Sequence, residues 1–93
     1  MGKQMENTDF AKHVLRYVKN ALPHELSGAG VFIARLDTGK GAARVALLVS
    51  RPWNSTATVF YLDGWYRKYL NGAATAESAA AAIINDRRLY IAW

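Results

Sequence analysis

The stretch "DGWYRKYLNG", residues 63–72, sets three aromatic rings around two cations and brackets them with two turn signals. As a β-hairpin arm it is entered through Asp63-Gly64, since Asp-Gly between β-rich runs supplies the positive φ angles that a two-residue reversal needs. Trp65, Arg67 and Tyr69 then share one face of the arm. As a helix it starts at a capping Asp63 and stops at Asn71-Gly72. The pairs Trp65/Tyr69 and Tyr66/Leu70 then form an apolar stripe that takes the rings inward and turns the cations outward. The Asp-Gly signal favours the arm.

The segments before it read more simply. From Thr8 to Leu22 the residues Phe10, Ala11, Val14, Leu15, Val18, Ala21 and Leu22 recur at steps of three and four, the period of an amphipathic helix. Asn7 or Thr8 caps its start, Asp9 suits the positive end of its dipole, and Pro23 prevents its continuation. Lys12, Arg16 and Lys19 form a basic stripe on its opposite face. "VFIARLD" (31–37) and "ARVALLVSR" (43–51) are rich in β-branched and aromatic residues and flank "TGKGA", so they predict a hairpin. "TATVFYLD" (56–63) predicts a third strand, reached through "RPWNS", where Pro52 and Asn54 mark a turn.

Beyond the deciding stretch, Thr75 caps a helix over "AESAAAAIIN" (76–85), whose alanines allow a close approach to a sheet. "RRLYIAW" (87–93) predicts a closing strand with Leu89, Ile91 and Trp93 on one face and Arg88 and Tyr90 on the other. The fold class that follows is α+β in two layers. Its order is α-β-β-β-(β)-α-β, with a mostly antiparallel sheet and two helices packed on one face. Residues 1–7 read as a flexible tail and 8–93 as a single domain.

Composition narrows the functions. Ninety-three residues with 52% apolar content and two prolines suffice for one core without disulfide or metal support. No cysteine is present, which excludes thiolate catalysis, iron–sulfur ligation and cysteine-based zinc sites. The longest apolar runs, "VALLV" and "AAAAII", fall far short of the roughly 20 residues needed to span a bilayer. "MGKQMENTDF" has neither the apolar core of a signal peptide nor a myristoylation pattern. A cytoplasmic chain with no membrane partner is expected. Twelve Lys and Arg against seven Asp and Glu give a net charge of +5, which favours polyanions at long range.

Local motifs give no chemistry. Asp37-Thr38-Gly39 matches the core of the aspartic-protease motif but sits in a hairpin turn, without the flanking pattern that would bring two carboxylates together. Gly39-Lys40-Gly41 lacks both the earlier glycine and the following Ser or Thr of a phosphate loop. "SGAG" precedes a strand, whereas a dinucleotide fingerprint follows one. His13 and His24 have no ligand partner at helical spacing, and His24, Glu25 and Ser27 are adjacent in sequence without implying a catalytic geometry. "NST" (54–56) is a polar turn. No enzyme, metal or cofactor is expected.

What recurs is the association of rings with cations. Arg51 lies beside Trp53, Arg67 and Lys68 lie among Trp65, Tyr66 and Tyr69, and Arg87 and Arg88 precede Tyr90 and Trp93. Rings on a sheet stack with bases while neighbouring cations hold phosphates. The expected function is therefore a small non-enzymatic binding module that engages nucleic acid through Arg51, Trp53, Arg67, Lys68, Arg87 and Arg88. The alternative is a protein-interaction module, an adaptor or inhibitor, using an exposed strand edge or the same aromatic and arginine residues. Oligomeric state is not legible.

Overall fold

The structure is a computed structural model that describes residues 4–37, 39 and 43–91. Helix α1 (Asn7–Asn20) carries Phe10, Ala11, Val14 and Val18 on its buried face. It begins one residue ahead of the expected caps, with Glu6 as N-cap and no side-chain capping bond. Lys12, Arg16 and Lys19 are exposed. A short 3-10 turn over His24–Leu26 drops Leu26 into the core and leads into the sheet.

Strands β1 (Gly30–Asp37), β2 (Ala43–Ser50) and β3 (Thr58–Tyr61) form an antiparallel meander in that order. Val31 pairs with Val49, Ile33 with Leu47, and Leu47 in turn with Phe60. Directly paired residues share a face, so these side chains make the inner face, which α1 covers. Leu47 and Val49 are completely buried, and each fully buried side chain of this size stabilises the fold by about 1.5–3 kcal/mol. The register puts Phe32, Ala34, Leu36, Leu48, Val59 and Tyr61 on the outer face, where Phe32 and Tyr61 are exposed. The reversal between β1 and β2 falls mainly on residues outside the described set. Gly39, with φ +75, donates its N–H to Asp37 Oδ1 at 2.8 Å, an Asx turn.

Residues 63–70 are a helix, α2 (Asp63–Leu70), and the hairpin arm is thereby corrected. The cause is tertiary. In the helix Tyr66 and Tyr69 fall on one face and pack on Phe10, with ring centroids 5.6 and 5.1 Å away. Their hydroxyls bracket Met5: Tyr66 Oη donates to the Met5 carbonyl at 2.8 Å and Tyr69 Oη accepts from the Met5 N–H at 2.9 Å. An arm would strand both rings away from these partners. Of the segment expected to be a tail, residues 1–3 lie outside the described set, and Met5 is held by these two bonds.

Helix α3 (Ala76–Ile84) starts at Thr75 as expected, in a capping box where Thr75 Oγ1 accepts from Ser78 N–H and Ser78 Oγ accepts from Thr75 N–H. Its alanines serve a close approach to α1 rather than to the sheet, and Ala76, Ala79, Ala80 and Ile83 join the common core. Thr75→Ala should cost about 1 kcal/mol of stability, read as a lower urea midpoint at unchanged m. The chain then makes a second 3-10 turn, Arg87–Leu89, where a strand was expected. Asp86 Oδ1 caps it by accepting the Arg88 N–H at 2.9 Å, and Leu89 is completely buried. Burying Leu89 requires the chain to turn into the core instead of running on along the sheet. The last two residues of the expected strand lie outside the described residues. The α+β class and the antiparallel sheet stand as read.

Candidate nucleic-acid interface

The loop after β2 begins with Arg51, and only 3% of its surface is exposed. Its Nη1 donates to the Arg88 carbonyl, and its Nη2 donates to Thr58 Oγ1 at 2.6 Å and to the Thr56 carbonyl at 3.4 Å. Arg51 thus ties the C-terminal 3-10 turn to the start of β3. All these acceptors are uncharged, and no carboxylate pairs with Arg51 among the described residues. Its Nε and the Nδ2 of Asn54 are sealed from solvent without an acceptor. A buried charge held only by dipoles is a costly arrangement.

Arg51 lines a recess of about 630 Å³ with Trp53, Asn54, Ser55, Thr56, Ala57, Thr58 and Arg88. Asn54 shapes the loop, its Oδ1 accepting the Thr56 N–H at 3.0 Å. Trp53 is 42% exposed at this recess. Arg88 belongs also to a second, smaller hollow of about 260 Å³, lined by Val59, Phe60, Tyr61, Trp65, Ala82, Ile83 and Asp86. The two hollows therefore follow β3 from Thr58 to Tyr61, a length of about 10 Å at the usual rise per residue.

Arg88 is fixed between them. Its Nε and Nη2 donate to the two oxygens of Asp86, each at 3.0 Å, and its guanidinium lies over the Phe60 ring, 4.7 Å from the centroid. The hydrogen bond from Arg88 holds the Asp86 carboxyl below its ordinary pKa, and the same bond raises that of Arg88. Tyr90, just beyond, is raised by burial and then by the charge of Glu25. At the far end Lys68 Nζ sits 4.9 Å from the Trp65 ring centroid, as the helical i, i+3 spacing allows.

The structure thus gathers Arg51, Trp53 and Arg88 at one recess and brings Trp65 to the second hollow, with Lys68, which lines neither, over the Trp65 ring. Arg67 and Arg87 are exposed but line neither hollow, and the stripe Lys12, Arg16 and Lys19 stays on α1. The rings of Tyr66 and Tyr69, expected at a binding face, serve the core instead. Asn54 was read only as a turn former, and Thr58 and Asp86 were not singled out by the sequence. Nor was Arg44, which lies 3.8 Å from the Tyr61 ring centroid and pairs with Asp63 at 3.0 Å. No group of three or more acidic or histidine side chains is placed to hold a metal ion among the described residues, and no helix among them is long and apolar enough to cross a membrane.

No protein-family model, curated protein or solved structure matches this chain. Its chemistry has to be argued from the recess itself.

Proposed function

We propose that the chain is a non-enzymatic cytoplasmic module that binds single-stranded nucleic acid along the edge of β3. The observation that carries this reading is the buried Arg51, which has no carboxylate among the described residues and opens on a recess beside a half-exposed indole. The exposed indole of Trp53 offers a π-face to a base, the half-buried Trp65, packed against the core, leaves only part of its ring open, and the cations Arg88 and Lys68 lie beside the path. The net charge of +5 adds long-range attraction.

The test is titration of a short mixed-sequence oligonucleotide over a range of salt concentrations. The logarithm of affinity should fall linearly with that of salt, and Lys68→Ala should flatten the slope by about 0.7, the share of one single-strand phosphate contact. Lys19→Ala, away from both hollows, should not change it by more than a small fraction of that. Equal effects of the two substitutions would show that binding follows net charge and not this path.

Phe32 favours a second reading. It is 56% exposed on the outer sheet face, next to the unpaired edge of β1, where an extended segment of a protein partner could add as a strand. On that reading Phe32→Asp abolishes capture of a specific partner from nuclease-treated lysate while changing stability by no more than about 0.5 kcal/mol. Retention of the same partner by the variant would remove this face from consideration.

A further inference from the structure

We infer that the recess at Arg51 is a subsite for one terminal nucleotide, with its phosphate monoester beside Arg51 and its base on Trp53, so that the module prefers phosphorylated strand ends. This rests on the reading of the β3 edge as a nucleic-acid path and names what its larger hollow takes.

Size separates the two hollows. At about 630 Å³ the recess, a cleft open to solvent on one side, falls within the roughly 300–1,000 Å³ range of small-molecule clefts, whereas the hollow of about 260 Å³ falls below it. The recess has the volume that a nucleotide needs, and its neighbour does not.

Charge selects the ligand class. Two guanidinium groups, those of Arg51 and Arg88, line the recess, and among the described residues no carboxylate does. Asp86 is committed to Arg88 through both its oxygens, so one full positive charge, that of Arg51, is left over in a buried setting where electrostatic attraction is strong. A phosphate monoester brings about −1.5 to −2 charges and three strong acceptor oxygens at neutral pH. An internal phosphodiester brings a single negative charge. The remaining walls suit the monoester as well: Ser55, Thr56 and Thr58 carry hydroxyls. Trp53, exposed at the same recess, supplies a stacking surface for the attached base.

The experiment follows intrinsic tryptophan fluorescence and calorimetry with five probes. These are a nucleoside monophosphate, the same nucleoside, inorganic phosphate, and one oligonucleotide carrying either a terminal phosphate or a terminal hydroxyl. The monophosphate should bind at least about tenfold more tightly than the nucleoside, and the phosphorylated oligonucleotide at least about tenfold more tightly than its hydroxyl form, as expected for charge-assisted hydrogen bonds. Trp53→Ala should weaken the monophosphate while leaving inorganic phosphate unchanged. Thr58→Val, which keeps the volume and removes the hydroxyl acceptor that aligns Arg51, should reduce the preference for phosphate even if a change at Arg51 impairs folding. Equal binding of the two oligonucleotide forms would overturn the subsite and leave strand binding standing. Binding of the monophosphate with no binding of either oligonucleotide would instead keep the subsite and remove the strand. Inorganic phosphate binding as tightly as the monophosphate would show an anion site with no role for the base, and so overturn the inference as stated.

Discussion

Phe10→Ala is expected to lower the free energy of unfolding by about 3–5 kcal/mol, the range for truncating a fully buried phenylalanine. Phe10 is completely buried and is the point at which α2 is fastened to α1. Tyr66 and Tyr69 both rest on its ring, and they in turn hold Met5 through their hydroxyls. Removing the ring leaves a cavity and withdraws the main apolar partner of an eight-residue helix, which is too short to persist on its own in water. The loss should therefore lie toward the upper end of that range, with fraying of α2 measurable as faster amide exchange at Tyr66–Leu70. Urea unfolding gives the free energy, and exchange gives its location. A cost below about 1 kcal/mol, with α2 protection unchanged, would mean that the rings are held by something other than Phe10.

This fastening explains which parts of the fold were legible in the sequence. The 3.6-residue period of α1 and the β-rich runs of β1, β2 and β3 are local patterns, and the core uses them directly: Phe10, Val14 and Val18 on one side, Val31, Leu47 and Val49 on the other. Thr75 and Ser78 likewise act within one turn of each other. The stretch 63–72 is different because its two readings have comparable local support. Asp63-Gly64 obeys hairpin chemistry as well as helix-start chemistry, and the decision comes from Phe10 and Met5, more than fifty residues away. Tertiary contacts routinely overrule propensity at such places. The C-terminal segment failed as a strand for a related reason: alternation placed Leu89 on a sheet face, but the core needed Leu89 inside, and Asp86 was at hand to cap the turn that puts it there.

The candidate site was legible only as pairs of neighbours. Arg51 with Trp53 and Arg88 with its flanking residues were visible as rings beside cations, but their convergence depends on Arg51 donating across thirty-seven positions to the Arg88 carbonyl. No spacing rule reports that. The same rule of adjacency included Arg67 and Arg87, whose side chains leave the path once α2 and the final turn are formed. Adjacency in sequence picked out rings beside cations; the bond from Arg51 to the Arg88 carbonyl and the helix at 63–70 decide which of them lie together.

Arg51→Met separates binding from folding. Methionine fills a similar volume, leaves the Arg88 carbonyl and Thr58 hydroxyl without their donor, and relieves the cost of burying a charge. The first effect costs about 1–3 kcal/mol for groups left unpaired, and the second offsets it, since replacing buried charges by apolar side chains is often neutral or stabilising. The net change in stability should stay below about 2 kcal/mol, well short of that for Phe10→Ala. Affinity for a phosphorylated oligonucleotide should fall much further, by about 2–5 kcal/mol as when one partner of a desolvated charge pair is removed, or about 30-fold or more. Arg51→Lys should lie between, because an ammonium keeps the charge but cannot span Arg88, Thr56 and Thr58 with one planar fork. Unfolding midpoints and oligonucleotide titrations on the same three proteins give both quantities. If Arg51→Met instead destabilises as strongly as Phe10→Ala, and the folded fraction still binds like the wild type, then the guanidinium is a structural tie between β3 and the last turn, and its unneutralised charge has no ligand to explain.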